Sequence, residues 1–321
     1  MPQHGRKFTF LVHSYQSATN GLAPDLTIKI GEFNNRPDDF YYLRRRLALW
    51  VELAQSGASL AREYLEYAAW QTSVTEHPQV SELLERYFFL PMSNAKYADA
   101  RQQNLIRKRL RRILAGLHKL HLFFQSPLEI LGTGKYFETA PPLGYVKVPN
   151  GVSNRKLHVL LNGERIAMGE GTVDSIMKTL VHEASHKVLN NHDYFYEGAL
   201  RDTPDVEAGV AAFGKTSPAN QAEVLRIKQK AKDQSAHAPG LRMHIEWSRH
   251  SSRNADSYAH YVHALADRGT APVGPGIYQR IYPGTWGRPF DNDMDRLLDS
   301  CRDMKAPGKA KFGDLEVVCG E

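Results

Sequence analysis

Apolar positions repeat at helical spacing over the first part of the chain and become broken after it. From Tyr41 onward they return one helical turn apart: Leu43, Leu47 and Trp50, then Leu60, Tyr64 and Tyr67 beyond Gly57. A further helix is expected over residues 80–89. The clearest stripe covers 97–124. There Ile106, Leu110, Ile113, Leu114, Leu117 and Leu120 share one face, while Arg107, Lys108, Arg111 and Arg112 fall mostly on the other. Residues 1–38, with scattered Asn, Pro, Gly and Asp, read as irregular. After Pro127, glycine and proline punctuate the chain, and short runs at 145–148 and 157–161 have β character. A helix is expected from near Thr172 through Asn190, another over part of 209–232, and another over 254–266. Beyond Arg268 the chain is again rich in Gly and Pro, with one late helix over 294–301. The fold class read from this pattern is α+β and mainly helical.

With 321 residues the chain can bury a sizeable core. Its 42% hydrophobic and 24% charged residues are ordinary for a soluble globular protein. No apolar run approaches bilayer-spanning length, so no membrane span is expected. The short apolar stretch at 8–12 lacks the extent of a secretory signal. The chain is therefore expected to be cytoplasmic, already processed, or secreted without a classical signal peptide. A net charge of +6 is concentrated in residues 101–112. That run reads as a solvated helix face, and no nucleic-acid-binding motif accompanies it. Cys301 and Cys319 could close one loop or remain two free thiols, so they leave the compartment open.

Chemistry is concentrated at Val181-His182-Glu183-Ala184-Ser185-His186, an H-E-x-x-H segment. Residues four apart on a helix lie one turn apart on one face, so both imidazoles can address one ion. The intervening Glu183 can reach a metal-bound water without being a ligand. Zinc suits imidazole donors and keeps one position open for water in catalytic sites. Val173, Ile176, Met177, Leu180, Val181, Ala184 and Val188 form an apolar stripe, and the two histidines fall opposite it. A third protein ligand must come from downstream. Asp193, Glu197, Glu246 and Asp256 are the candidates, with Asp193 just past the helix end expected at Asn190-Asn191. His244 and His250 read as part of a polar helix face, and His260 and His263 as structural.

The HExxH segment followed by Asp193-Tyr194-Phe195-Tyr196 and Gly198 resembles the aspzincins, the deuterolysin and lysine-specific metallo-endopeptidase family. Asn254-Ala255-Asp256-Ser257-Tyr258 is similar to a second motif of that family. The resemblance covers about residues 40–270. It implies a zincin-like fold with a small β-sheet beside the HExxH helix, flanked here by an irregular N-terminal extension (1–39) and a Gly/Pro-rich C-terminal extension (271–321). It implies zinc ligation by His182, His186 and Asp193, with Glu183 as base and Tyr196 as oxyanion donor. Asp256 would read a basic residue after the cut. Asn191-His192 stand where the family has Gly-Thr. Ala259 stands where lysine-specific members have a glutamate, so strict lysine specificity is not implied. The family's secreted fungal members carry paired cysteines that this chain lacks, which points toward a bacterial effector or toxin.

The expected activity is a zinc endopeptidase acting on a protein or peptide, with an immunity or inhibitor protein as a further partner. The alternatives are a zinc amidase of cell-wall peptides and a non-catalytic binding protein. Intact Glu183 argues against the latter.

Overall fold

A computed structural model describes residues 8–12, 26–33, 37–73, 77–125, 128–133, 156–158, 173–194, 217–231, 240–268, 308–312 and 315–319, with single positions 211 and 296. The described residues are mainly helical. Seven α-helices are present among them: α1 (Pro37–Ser73), α2 (Pro78–Phe88), α3 (Ala100–Gln125), α4 (Val173–Leu189), α5 (Pro218–Ala231), α6 (Leu241–Ser251) and α7 (Ala255–Arg268). No helix among them is long and apolar enough to cross a membrane. The expected β run at 145–148 and the late helix at 294–301 lie outside the described residues, position 296 excepted.

The chain divides into two compact units. The first comprises Met1–Arg62, Leu122–Glu183 and Pro272–Glu321; the second comprises Glu63–His121 and Ala184–Ala271. In the first unit the backbone forms six strands, β1 (Phe8–Val12), β2 (Leu26–Phe33), β3 (Leu128–Thr133), β4 (Lys156–His158), β5 (Gly308–Phe312) and β6 (Leu315–Cys319), in the order β4-β3-β2-β1-β6-β5. Strands β2, β3 and β4 are parallel neighbours, whereas β1, β5 and β6 join through antiparallel pairs. Two of these strands fall in the stretch read as irregular, and two in the Gly/Pro-rich tail. The reason is non-local pairing. Phe8 is opposite Cys319, and Val12 opposite Leu315, so the ladder that makes β1 a strand comes from the far end of the chain.

In the same unit, Gly57 stands inside a helix. Helix α1 runs through it without interruption. A Cβ at Gly57 would stand 2.7 Å from Ile176 Cγ2 and 3.2 Å from the backbone nitrogen of Met177. Glycine is there because α4 approaches closely, which outweighs its helix-propensity cost of about 1 kcal/mol.

In the second unit, aromatic rings fill the core. Phe88 of α2 meets Tyr258 and Tyr261 of α7 edge-on, with centroids 5.1 and 5.2 Å away. Both phenols are buried and find partners. Tyr258 donates to the Ser252 carbonyl at 3.3 Å, and Tyr261 lies 2.7 Å from Thr72 Oγ1. Burial pushes both phenols above their ordinary pKa, so they stay protonated. Tyr258 also lies under Gly116 of α3, where a Cβ would come within 2.6 Å of its hydroxyl. A second cluster joins Phe89, Ile227 of α5 and Trp247 of α6, with Tyr194, Val224 and Met243 packed on it. Beside it, Glu223 holds Arg226 through a two-pronged hydrogen bond and contacts His250 Nε2 at 3.0 Å. His250 is thus a nearly buried partner of Glu223, only 8% exposed, and not part of a solvated polar face.

Two measurements test this packing. Gly57→Ala is expected to lower stability by about 1–3 kcal/mol, because the backbone of Met177 cannot yield as a side chain would. Calorimetric or denaturant unfolding reads it. The second test concerns Glu223, whose hydrogen bonds from Arg226, with His250 assisting, hold its carboxyl at about 2, below the ordinary 4.5. A depressed carboxyl stabilises the fold fully above its unfolded pKa and loses that contribution as pH falls toward the folded value. Burial also lowers the pKa of His250, which adds a loss of stability as pH falls below about 6.5. Glu223→Gln should cost about 1–2 kcal/mol at pH 7. It should also flatten the decline between pH 4.5 and 2 in denaturant titrations.

Candidate metal centre

Helix α4 presents the H-E-x-x-H segment on a buried frame. Asp174 lies in its first turn, where a negative charge suits the helix dipole. Ile176, Met177, Leu180, Val181 and Ala184 are completely buried, as the apolar stripe requires. The opposite side is not simply solvated, however. Glu183 is 4% exposed, Ser185 is fully buried, and His182 and His186 are only partly exposed. The motif therefore sits in an enclosed setting.

The helix ends at Asn190, whose φ of 53° is left-handed. Asparagine tolerates that region better than most residues, and it reverses the chain at the place its sequence signals. The reversal has a direct consequence. The carbonyl of Asn191 comes within 2.8 Å of His186 Nδ1. A carbonyl only accepts, so Nδ1 carries the hydrogen. Nε2 of the same ring faces Asp193 Oδ1 at 3.1 Å. In the neutral ring these are two lone-pair donors, and they need a proton or a cation between them. His182 completes the group: the donor atoms of His182, His186 and Asp193 all lie within 4.8 Å of one another. Donor atoms about 2.0–2.1 Å from one tetrahedral ion are about 3.3 Å apart, so the spacing suits a metal.

Asp193 reaches this position because its neighbours on both sides are held. The His192 amide donates to the Arg253 carbonyl at 2.8 Å, and the Ala255 amide donates to the His192 carbonyl at 3.0 Å. On the other side, the Tyr194 amide donates to Asn254 Oδ1 at 2.9 Å. The Asn254 carboxamide is itself fully buried and donates through Nδ2 to Ser257 Oγ at 3.1 Å. The Tyr194 ring packs on the Phe89–Ile227–Trp247 cluster and meets His250 edge-on at 5.2 Å.

Of the four downstream acids considered, the structure brings Asp193 to the histidines. Glu246 lies 3.6 Å from Arg226. Asp256 stands in the first turn of α7 with Oδ2 3.5 Å from His260 Nε2, and the ring of Tyr87 stacks on that histidine. Tyr196, Glu197 and Gly198 lie outside the described residues, as does Cys301. Two residues that position the site, Asn191 and Asn254, were legible in the sequence only as a helix end and as part of a motif. Asn254 stood inside the motif segment, but its role depends on a partner 60 residues away.

Comparison with protein-family models, with curated proteins and with solved structures gives no match to this chain.

Because Asn254 holds the arm that carries Asp193, Asn254→Ala should weaken divalent-metal binding by about 10- to 100-fold. A competitive chelator titration with zinc as probe reads the affinity. Hydrogen exchange should quicken at the Tyr194 amide in the same variant.

Proposed function

We propose that this chain is a zinc-dependent endopeptidase of zincin-like fold, with the aspzincin arrangement of residues and the small sheet beside α4. The observation that carries the reading is the His186 ring, oriented by the Asn191 carbonyl so that Nε2 addresses Asp193, with His182 one turn earlier on the same helix. His182, His186 and Asp193 would hold the ion. When bound, zinc supplies Lewis acidity and lowers the pKa of a water to about 7.

The chain's own residues do the rest. Glu183, next to His182 and desolvated, takes a proton from the attacking water as the new C–O bond forms. It returns that proton to the amide nitrogen as the C–N bond breaks, leaving a carboxylate and an amine. Tyr196, three residues beyond Asp193, is assigned the hydrogen bond to the developing oxyanion. Strand β4 stands at one end of the strand order, and an extended peptide can pair with such an edge, which favours cleavage within chains. The basic-residue preference is not carried forward. Asp256 is engaged with His260, and Ala259 offers no second carboxylate.

Glu183→Gln should bind one zinc per chain like the wild type yet lose about 100- to 10,000-fold in turnover. The test is a digest of a denatured mixed proteome by both proteins, with new termini mapped by mass spectrometry. Cleavage by the wild type alone supports the reading. Zinc binding without cleavage of any protein, but with release of peptides from muropeptides, would move the substrate to the cell wall.

A further inference from the structure

The basic run at 101–112 does not behave as one solvated face. Arg107, Lys108 and Arg111 are exposed, but Arg109 and Arg112 are half-buried. Both are within electrostatic range of Arg253, half-buried in the turn between α6 and α7, and Arg109 also of the exposed Arg249 of α6. Burial, then Arg249, Arg253 and Arg112, hold the Arg109 guanidinium below its ordinary range. Burial and Arg253 do the same to Arg112, against Tyr258 and Tyr194. Among the described residues, Glu246 is a carboxylate within electrostatic range of Arg109, and it also lies 3.6 Å from Arg226. The Nε atoms of Arg109 and Arg253 are buried and meet no acceptor among the described residues.

Four guanidiniums so placed are costly. Arginine does not shed its proton near neutral pH, so the repulsion cannot be relieved by titration as it could be for lysine or histidine. An unsatisfied buried donor adds a desolvation cost. A bound oxyanion removes both costs, and the planar guanidinium fork matches a carboxylate in particular. Position says whose carboxylate it is. The Arg253 carbonyl is the acceptor that holds His192, next to Asp193, and Arg112 is within electrostatic range of Tyr194, which follows Asp193. The cationic cluster thus borders the arm that supplies the third metal ligand.

We propose that Arg109, Arg112 and Arg253, with Arg249 at the margin, form a subsite for a carboxylate of the peptide substrate, an acidic side chain or a free C-terminus. This rests on the peptidase reading for its substrate class. It reverses the charge preference that the motif resemblance implied.

The test titrates zinc-loaded Glu183→Gln calorimetrically with three N-acetylated tetrapeptides. One ends in a free carboxylate, one is the same sequence amidated, and one is amidated but carries an internal glutamate. Tighter binding of the first alone assigns a chain terminus, and tighter binding of the third assigns a side chain. Arg112→Gln should weaken the favoured peptide at least tenfold with zinc stoichiometry unchanged, and Arg112→Lys should restore only part of it. Arg249→Gln, at an exposed position, serves if Arg112→Gln fails to fold. Equal binding of all three peptides, binding of none, or indifference to both arginine variants would overturn the subsite. So would salt-steep binding of a single-stranded oligonucleotide with no binding of the acidic peptides. Arginine-dependent binding alongside a wild type that cleaves no protein would leave the subsite standing and remove the peptidase reading.

Discussion

Asp193 lies beyond the end of α4, outside the helices and strands of the described residues, and yet its carboxylate stands 3.1 Å from His186 Nε2. The hydrogen bonds that join residues 192 and 194 to the turn at 253–255 hold it there. Two are backbone bonds and so need no particular side chain. The third uses Asn254, a buried carboxamide that would be costly if left unpaired. The arm therefore inherits the rigidity of α6 and α7, and through Tyr194 that of the cluster around Trp247. Without that clamp the two histidines of α4 would be a helical pair lacking a third donor.

Orientation of the first donors follows from the same reversal. Asn190 enters the left-handed region, the chain turns, and the Asn191 carbonyl meets His186 Nδ1. One backbone oxygen thus selects the tautomer that leaves Nε2 for a metal. Such outer contacts fix ring orientation and raise ligand basicity. The charges around the arm are unequal. The histidines and Asp193 form a compact donor set, whereas Arg109, Arg112, Arg249 and Arg253 gather positive charge on the neighbouring elements. In the proposed function, the metal would polarise one group of a substrate while the arginines hold another.

Close helix contacts set the frame for both. Gly57 lets α4 approach α1, and Gly116 admits the Tyr258 ring beside α3. Each glycine gives up helix propensity for proximity. Local propensity weighs against such a glycine in a helix, because propensity is visible in a window of residues and the partner helix is not.

The sequence by itself determined most helices, since each buries an apolar stripe whose period is local; the stripe in α3 and the start and end of α4 are examples. It also placed His182 and His186 one turn apart on one face, because four-residue spacing on a helix is a one-turn geometry wherever the helix sits. It left four downstream acids open as a third donor, with Asp193 just past a helix end, and only the motif resemblance implied Asp193. Tertiary structure decided the remainder. The strand pairing of β1 with β6 joins opposite ends of the chain, and no local period announces it. Asp256 and His260 pair across a helical turn, and His250 is drawn into Glu223 27 residues away. Arg109 and Arg112 were legible as charge, but not as a cluster. Their company comes from α6 and from the turn after it, and Coulomb energy depends on separation in space.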